Sequence, residues 1–379
     1  VAIASDSCSN SREDMPELTN GGIGYGLGHI VAQRARTARE GVEIAASLLD
    51  KYGYTASGRA YQIVDKNEGW VLQVVKGKHY VAKRVPDDEV MFIPNWYTIR
   101  NVDLSDKKNY VASNDIVTYA INRGWYTPST PSDFSDFDFA IAYQDPNQKQ
   151  DGNIYRQKNA LRMILGQEPE TLRVFSVKPE QKLGLEDVKK ILRTHYEGKE
   201  DDLSLGYSVN PHKTGVRTIC TSTTIESIVV QFREKPELTC VWRALLNPCT
   251  SPYVPWYLGI DKVPAGFGWI SPKIGLGNHF DVPPADLSYR PGRAWWAFQD
   301  VQDLANASYA EFIGRISEYR DTLEDKWSKS QCQFEAQVLG AFAEDPDRAK
   351  EMLTSYTDQQ ARLAWTTWKK LFQDLLGGQ

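Results

Sequence analysis

The sequence predicts an α+β protein, and three observations carry that prediction. A capping-box helix is followed by short apolar runs alternating with turn residues between about 60 and 93. A second strand-like block occupies about 218–246, and a charge-laced, Leu- and Trp-rich stretch from about Ala294 to Leu376 has Pro346 as its only strong breaker. Antiparallel strands covered by helices, with a helical C-terminal part, satisfy all three.

In chain order, Val1-Ala2-Ile3-Ala4 reads as a strand entered partway along its length. Gly21 to Gly28 runs Gly-Gly-Ile-Gly-Tyr-Gly-Leu-Gly, but the spacing is not GxGxxG and no Lys-Ser/Thr follows. A glycine turn is the expectation, not a phosphate cradle. Thr37-Ala38-Arg39-Glu40 has capping-box spacing, and Val42, Ala45, Ala46 and Leu49 continue at helical spacing until Gly53. Ala60–Val64, Trp70–Val75, Tyr80–Val85 and Val90–Ile93 then read as the strands of an antiparallel meander, broken by turns such as 65–69 and 76–78. In Trp70–Val75 both alternating sets are largely apolar, which predicts a sheet covered on both faces. The polar region 101–150 carries loops and at least one helix. Gly184–Tyr196 repeats the helical pattern with Leu185, Val188, Ile191 and Leu192, and places His195 on that helix's apolar face. Thr218–Phe232 and Cys240–Leu246 form the second strand block, and three or so long helices follow.

The balance of 44 Lys+Arg against 49 Asp+Glu gives a net charge of −5, which argues against electrostatic nucleic-acid binding. Hydrophobic residues at 41% and charged residues at 25% exclude a disordered chain. No run approaches the roughly 18 apolar residues of a membrane span. The expectation is a soluble protein, with the compartment open between cytoplasmic and secreted or periplasmic. Cys8, Cys220, Cys240, Cys249 and Cys332 include no CxxC pair, and a single Cys220–Cys240 bridge has no support. The five histidines, His29, His79, His195, His212 and His279, form no HExxH or other helical ligand pair. Neither a metal site nor a cofactor is therefore expected, and His195 reads as a core histidine. No GxSxG elbow is present. Cys8 and Cys249 are thiol candidates by residue type alone.

Composition and spacing stop there, but four segments in order carry more. They are residues 33–43 (QRARTAREGVE); Val85-Pro86-Asp87-Asp88 through Ile93-Pro94-Asn95; Thr194-His195-Tyr196-Glu197-Gly198; and the pair Arg217-Thr218-Ile219-Cys220 and Asn247-Pro248-Cys249-Thr250-Ser251. Together, from Val1 to about Trp296, they resemble the dipeptidase A family of cysteine N-terminal-nucleophile hydrolases, related to secernins and more distantly to penicillin V acylase and bile salt hydrolase. The resemblance implies an αββα sandwich over 1–293 with a helical extension over 294–379. It also implies a Cys thiolate that attacks a peptide carbonyl, its own α-amino group handling the proton, and an acyl-enzyme released by water. Residue one is Val1, so the resemblance puts the nucleophile on an N-terminal segment, or a separate autoprocessed fragment, that these residues do not include.

The resemblance also assigns roles by position. Asn95 matches an oxyanion-hole amide and Ser7 a second oxyanion-hole position, where the relatives have Asn and only the Ser7 backbone N–H could serve. Arg217 matches a charged position near the active site, and Thr221, with Ser222 and Thr223 on the same expected strand, could line a pocket. Trp96 and Trp256 are aromatic candidates for the substrate. The expected activity is dipeptide hydrolysis on a short-peptide substrate. Its rivals are an N-acyl amide hydrolase and a secernin-like non-catalytic binding or assembly protein. The C-terminal helices either cover the sandwich or build a homo-oligomer interface, and their periodicity does not choose.

Overall fold

The structure is a computed structural model that describes residues 1–8, 11–12, 21–24, 26–268, 272–281, 283–284 and 288–377. Tyr25, within the glycine-rich run, lies outside them, as does the side chain of His279. The chain forms two compact units, Val1–Leu183 and Gly184–Gln379. Each combines an antiparallel sheet with packed helices, so the protein is α+β.

In the first unit, β1 (Ala2–Ser7), β2 (Arg59–Val64), β3 (Gly69–Val74), β4 (Tyr80–Arg84) and β5 (Tyr110–Ala112) pair antiparallel in chain order. The expected meander is there, with one correction. Val90–Ile93 is not a strand; Val90 makes a single bridge to Val177, and β5 takes the edge of β4 instead. The sheet is covered on both faces, as the doubly apolar β3 requires. Trp70, Leu72 and Val74 share a core with α1 (Gly26–Arg34) and α2 (Ala38–Tyr52), through Leu27, Val31, Val42, Ala45 and Leu49. Val71 and Val75 face the other way, into a core with Cys8, Ile99, Phe137, Phe139 and Tyr143 beneath α3 (Ile116–Asn122) and α4 (Phe139–Tyr143).

Local chemistry sets the bounds of α2. The Thr37 side chain accepts from the Glu40 N–H at 3.1 Å, and the Glu40 carboxylate reaches back to the Arg36 N–H at 2.7 Å. Gly53 ends the helix at φ 69°, in the region where a β-carbon would clash. Gly41 lets the helix lie close on the sheet, because a β-carbon there would stand 2.8 Å from Ile63 Cγ2. Further on, α5 (Asp151–Leu165) completes the unit's helices.

The second unit opens with α6 (Leu185–Arg193), which corrects the placement of His195: the helix ends before it, at Thr194. β6 (Glu226–Gln231), β7 (Cys240–Leu245) and β8 (Val254–Tyr257) form a three-stranded antiparallel sheet. Residues 218–225 are turns and not the beginning of β6, so Thr221–Thr223 are loop residues. After α7 (Pro272–Phe280) come the three expected long helices, α8 (Ala294–Ala307), α9 (Tyr309–Glu344) and α10 (Pro346–Leu376). Pro346 starts α10 behind an Asp345 cap that accepts from the Asp347 and Arg348 N–H groups at 3.1 Å. Within this unit the helices cover the sheet, burying Trp242, Tyr257, Phe298, Trp327 and Trp368 in one core.

Candidate functional site

Asn95 follows Pro94 and is gripped from α5. Its N–H donates to Asn153 Oδ1 at 3.1 Å and its C=O accepts from Asn153 Nδ2 at 3.2 Å. Arg156, one turn further along the same helix face, donates from Nη1 to Asn95 Oδ1 at 3.0 Å. Arg156 is held in turn by Asn153 Oδ1 at 2.7 Å and by the Gly152 carbonyl at 2.9 Å. With its oxygen committed to a guanidinium, the Asn95 amide has only its NH2 group left to donate. No described residue accepts from that group.

The end of β1 lies beside this segment. Cys8 N–H donates to Gly58 O at 2.7 Å, and a β-carbon on Gly58 would stand 2.1 Å from the Tyr97 hydroxyl and 2.6 Å from Ser11. Tyr97 is thus seated where only glycine fits, which ties the Asn95-Trp96-Tyr97 stretch to the strand end. Asp6 shares the Cys8 face of β1, with the thiol 3.8 Å from its Oδ1 and its Oδ2 enclosed. Burial pushes its carboxyl up to about 8, and the Ala60 N–H, the Cys8 thiol, Arg59 and Arg156 offset this only in part. Burial and the Asp6 carboxyl both raise the Cys8 thiol, so Cys8 is no reactive thiolate.

Ser7 stands differently. Strand alternation puts its side chain on the face of Ile3 and Arg59, opposite Asp6 and Cys8. Because Cys8 and Gly58 form a hydrogen-bonded pair, the Ser7 N–H turns toward the outer edge of β1, which is an edge strand among the described residues. Trp96 lines a half-open cavity of about 500 Å³ with Thr98, Arg100, Ile154 and Arg173. Arg100 is taken by Asp138 at 2.7 Å, whereas the exposed Arg173 guanidinium has no acceptor among the described residues. The fold therefore brings Asn95 and Trp96 to one neighbourhood, at the end of the strand that carries Ser7.

Arg217 and Thr221 belong to the second unit. Arg217 is exposed, and its carbonyl accepts from the Tyr196 hydroxyl at 2.8 Å. The Thr221 carbonyl accepts from Asn247 Nδ2. The side chains that converge near them are ones the sequence reading set aside. His195 and His212 face each other, Nε2 to Nε2, at 2.9 Å. Cys249 and Cys220 place Sγ 3.7 and 3.8 Å from that same His212 nitrogen. All four ligand atoms lie within 4.8 Å of one another. Behind them, His195 Nδ1 meets Glu197 at 2.9 Å, His212 Nδ1 meets Asn306 Oδ1 at 3.4 Å, and Asn247 Nδ2 lies 3.9 Å from Cys220 Sγ. Tyr309 packs edge-on to both imidazoles.

The electrostatics polarise the cluster. Burial opposes charge on Cys249, but Cys220, His195 and His212 outweigh it and hold this thiol well below the ordinary range. Burial and the neighbouring Cys249 instead raise Cys220. Burial lowers His195, yet Cys249 and Glu197 bring it up to about 9, while burial raises Glu197 and His195 pulls it down to about 2. The expectation of no metal ligands rested on linear spacing, whereas His195, His212 and Cys220 are scattered along the irregular 194–225 segment and Cys249 comes from the 247–250 turn. One signal was available: the Thr194–Gly198, Arg217–Cys220 and Asn247–Ser251 segments each carry one of the four.

The chain belongs to peptidase family C69, whose sequence profile matches residues 10–322. A probable dipeptidase of Latilactobacillus sakei is 26% identical over 319 residues, covering 83% of this chain and 63% of that protein. A probable dipeptidase of Salmonella dublin is 28% identical over 284 residues, 69% of this chain and 64% of its own. A probable dipeptidase B of Streptococcus pyogenes serotype M3 is 23% identical over 369 residues, with coverage of 92% and 69%. The chain thus spans about two thirds of the length of these curated relatives. No described helix is long and apolar enough to cross a membrane.

Proposed function

We propose that the protein is a cysteine-type dipeptidase whose oxyanion hole contains the Asn95 amide. The observation that carries this reading is the Arg156–Asn95 bond, which occupies the amide oxygen and leaves the Asn95 NH2 group without an acceptor among the described residues. Membership of a peptidase family and relatives named as probable dipeptidases support it.

In the proposed reaction a thiolate adds to the peptide carbonyl carbon, and the carbonyl oxygen becomes an oxyanion that accepts from Asn95 Nδ2. Arg156 donates to Asn95 Oδ1 and polarises the amide, strengthening its N–H as a donor at the moment charge develops. Collapse breaks the C–N bond, the leaving amine takes the proton held by the nucleophile's α-amino group, and water cleaves the thioester. By the family resemblance, the nucleophile comes from a segment outside residues 1–379, freed by autoprocessing. Ser7 N–H, turned to the edge of β1, is the proposed second donor. Trp96 gives the side-chain cavity an apolar wall. Arg173, in the lining of that cavity, is the candidate for the free carboxylate of the peptide.

The test is dipeptide hydrolysis by the full-length protein, with and without thiol alkylation, set against N-acyl amides such as phenoxyacetyl or bile-acid conjugates. Dipeptide turnover abolished by the alkylator, at least tenfold above amide turnover, is the expected result. A full-length protein inert on dipeptides would remove the proposal.

A further inference from the structure

We propose that His195, His212, Cys220 and Cys249 form a structural zinc site that fastens the irregular 194–225 segment of the second unit to the 247–250 turn. The donor set is the first argument. Two imidazoles and two thiols are a tetrahedral zinc set, and four protein donors leave no open position, which distinguishes a structural from a catalytic centre. Geometry is the second. Zn–N of about 2.0–2.1 Å and Zn–S of about 2.3 Å separate tetrahedral nitrogen and sulfur by about 3.6 Å; here the two separations at His212 are 3.7 and 3.8 Å. The imidazoles, 2.9 Å apart, need to part by roughly half an ångström to admit the ion.

The surroundings supply the third argument. Both histidines point Nε2 at the common centre and Nδ1 at an oxygen, Glu197 for one and Asn306 for the other. That arrangement fixes the tautomer in which Nε2 carries a lone pair, and it is the usual outer shell of a metal-bound histidine. Glu197 is itself aimed, accepting from Thr194 Oγ1 at 2.8 Å and from the His195 N–H at 3.0 Å. It can turn back on His195 because the intervening Tyr196 is left-handed, at φ 75°. A non-glycine residue persists there only when its neighbours over-determine it; the Tyr196 N–H and hydroxyl are bound by Thr194 Oγ1 and Arg217 O, each at 2.8 Å. Cys220 is fully buried and Cys249 is 3% exposed, which places both sulfurs out of reach of bulk solvent.

The site also answers a structural need. Residues 194–225 contain no strand and no α-helix, only a short 3-10 turn at Pro211–Lys213, a length of irregular backbone that a compact unit seldom carries without a fastening. His195, His212 and Cys220 come from this segment and Cys249 from the 247–250 turn. Binding releases the Cys220 thiol proton and the proton shared between the imidazoles to solvent, so affinity rises with pH.

The test uses the full-length protein purified without added metal or chelator, analysed for metal by mass spectrometry. About one zinc per chain is expected, and replacement by Co²⁺ should give the intense visible bands of a tetrahedral dithiolate site. Cys249→Ser and His212→Ala should each lower bound zinc at least tenfold, whereas Cys240→Ser and Cys332→Ser should retain it. The Co²⁺ spectrum of the unmodified protein decides the matter if those variants fail to fold. Three results overturn the proposal: a metal-free protein that takes up neither ion, a Cys220–Cys249 disulfide in the native protein, or rapid alkylation of Cys249 at neutral pH, which would mark a reactive Cys–His–Glu triad instead. None of these readouts depends on peptide turnover, so the dipeptidase reading stands or falls separately.

Discussion

Glu324, on α9, is the keystone of the turn that carries Cys249, and Glu324→Ala should cost the second unit about 3–5 kcal/mol. Its carboxylate is 4% exposed, accepts from Arg193 Nη2 at 2.6 Å and from the Tyr253 N–H at 2.8 Å, and lies 3.7 Å from the ammonium of Lys189, which is fully buried. Arg193 in turn donates to Pro248 O at 2.8 Å. Removing the carboxylate leaves a buried lysine whose one remaining counter-ion among the described residues is the half-exposed Glu186, and a buried N–H without an acceptor, which alone costs about 1–3 kcal/mol. Glu324→Gln keeps an acceptor for Tyr253 and loses only the charge, so it should fall between Ala and the parent. Lys189→Met combined with Glu324→Gln should recover at least about 1 kcal/mol of that loss, because the fully buried ammonium that lost its partner is then gone as well. Urea unfolding read by fluorescence of the buried Trp242 and Trp327 measures all three. A Glu324→Ala protein within about 1 kcal/mol of the parent refutes the reasoning, because the carboxylate would then not be neutralising Lys189 and Arg193.

Three further outcomes follow from the first unit. Arg156→Met should lower dipeptide turnover roughly 10- to 100-fold with the fold intact, and Arg156→Lys should restore part of it, since a single donor still reaches the Asn95 oxygen. Asp6 is raised from 3.8 to about 8, so its contribution to stability is complete below pH 3.8 and is lost as pH climbs through 8. The stability gained by Asp6→Asn should therefore be larger at pH 8 than at pH 5, by about 1 kcal/mol or more in thermal or urea unfolding, and an equal gain at both pH values would contradict the buried neutral carboxyl. Gly58→Ala should destabilise by about 1–3 kcal/mol, and Tyr97→Phe should relieve part of that cost by removing the hydroxyl it meets; independent, additive losses would argue against the contact.

What the sequence made legible was local or periodic. The capping box at Thr37 and Glu40, the doubly apolar β3 and the three C-terminal helices were all readable because the residues that decide them are neighbours in the chain. Val90–Ile93 has the composition of a strand, but β5 takes the edge of β4 that it would have joined, and composition does not record which segment takes an edge. Thr218–Ile225 failed for the opposite reason. Its polar β-branched residues suit a strand, yet Cys220 is drawn into the cluster and the chain turns around it. His195 was assigned to the helix by extending a period past Arg193, where Thr194 already leaves helical geometry at ψ 145°. The anchoring of Asn95 by Arg156 was not legible at all, because the two are brought together only by α5 packing against the Pro94 segment. The same holds for the four ligands, each unremarkable in its own loop.

Steady-state kinetics of Asn95→Ala in the full-length protein test the proposed assignment most directly. If the amide donates to the developing oxyanion, kcat on a dipeptide falls by about 10²–10³, KM changes by less than a few-fold, and Asn95→Asp, which keeps the shape without the NH2 group, is no better. Undiminished kcat in a folded Asn95→Ala protein would show that the Arg156–Asn95 pair holds the loop and does not serve the reaction.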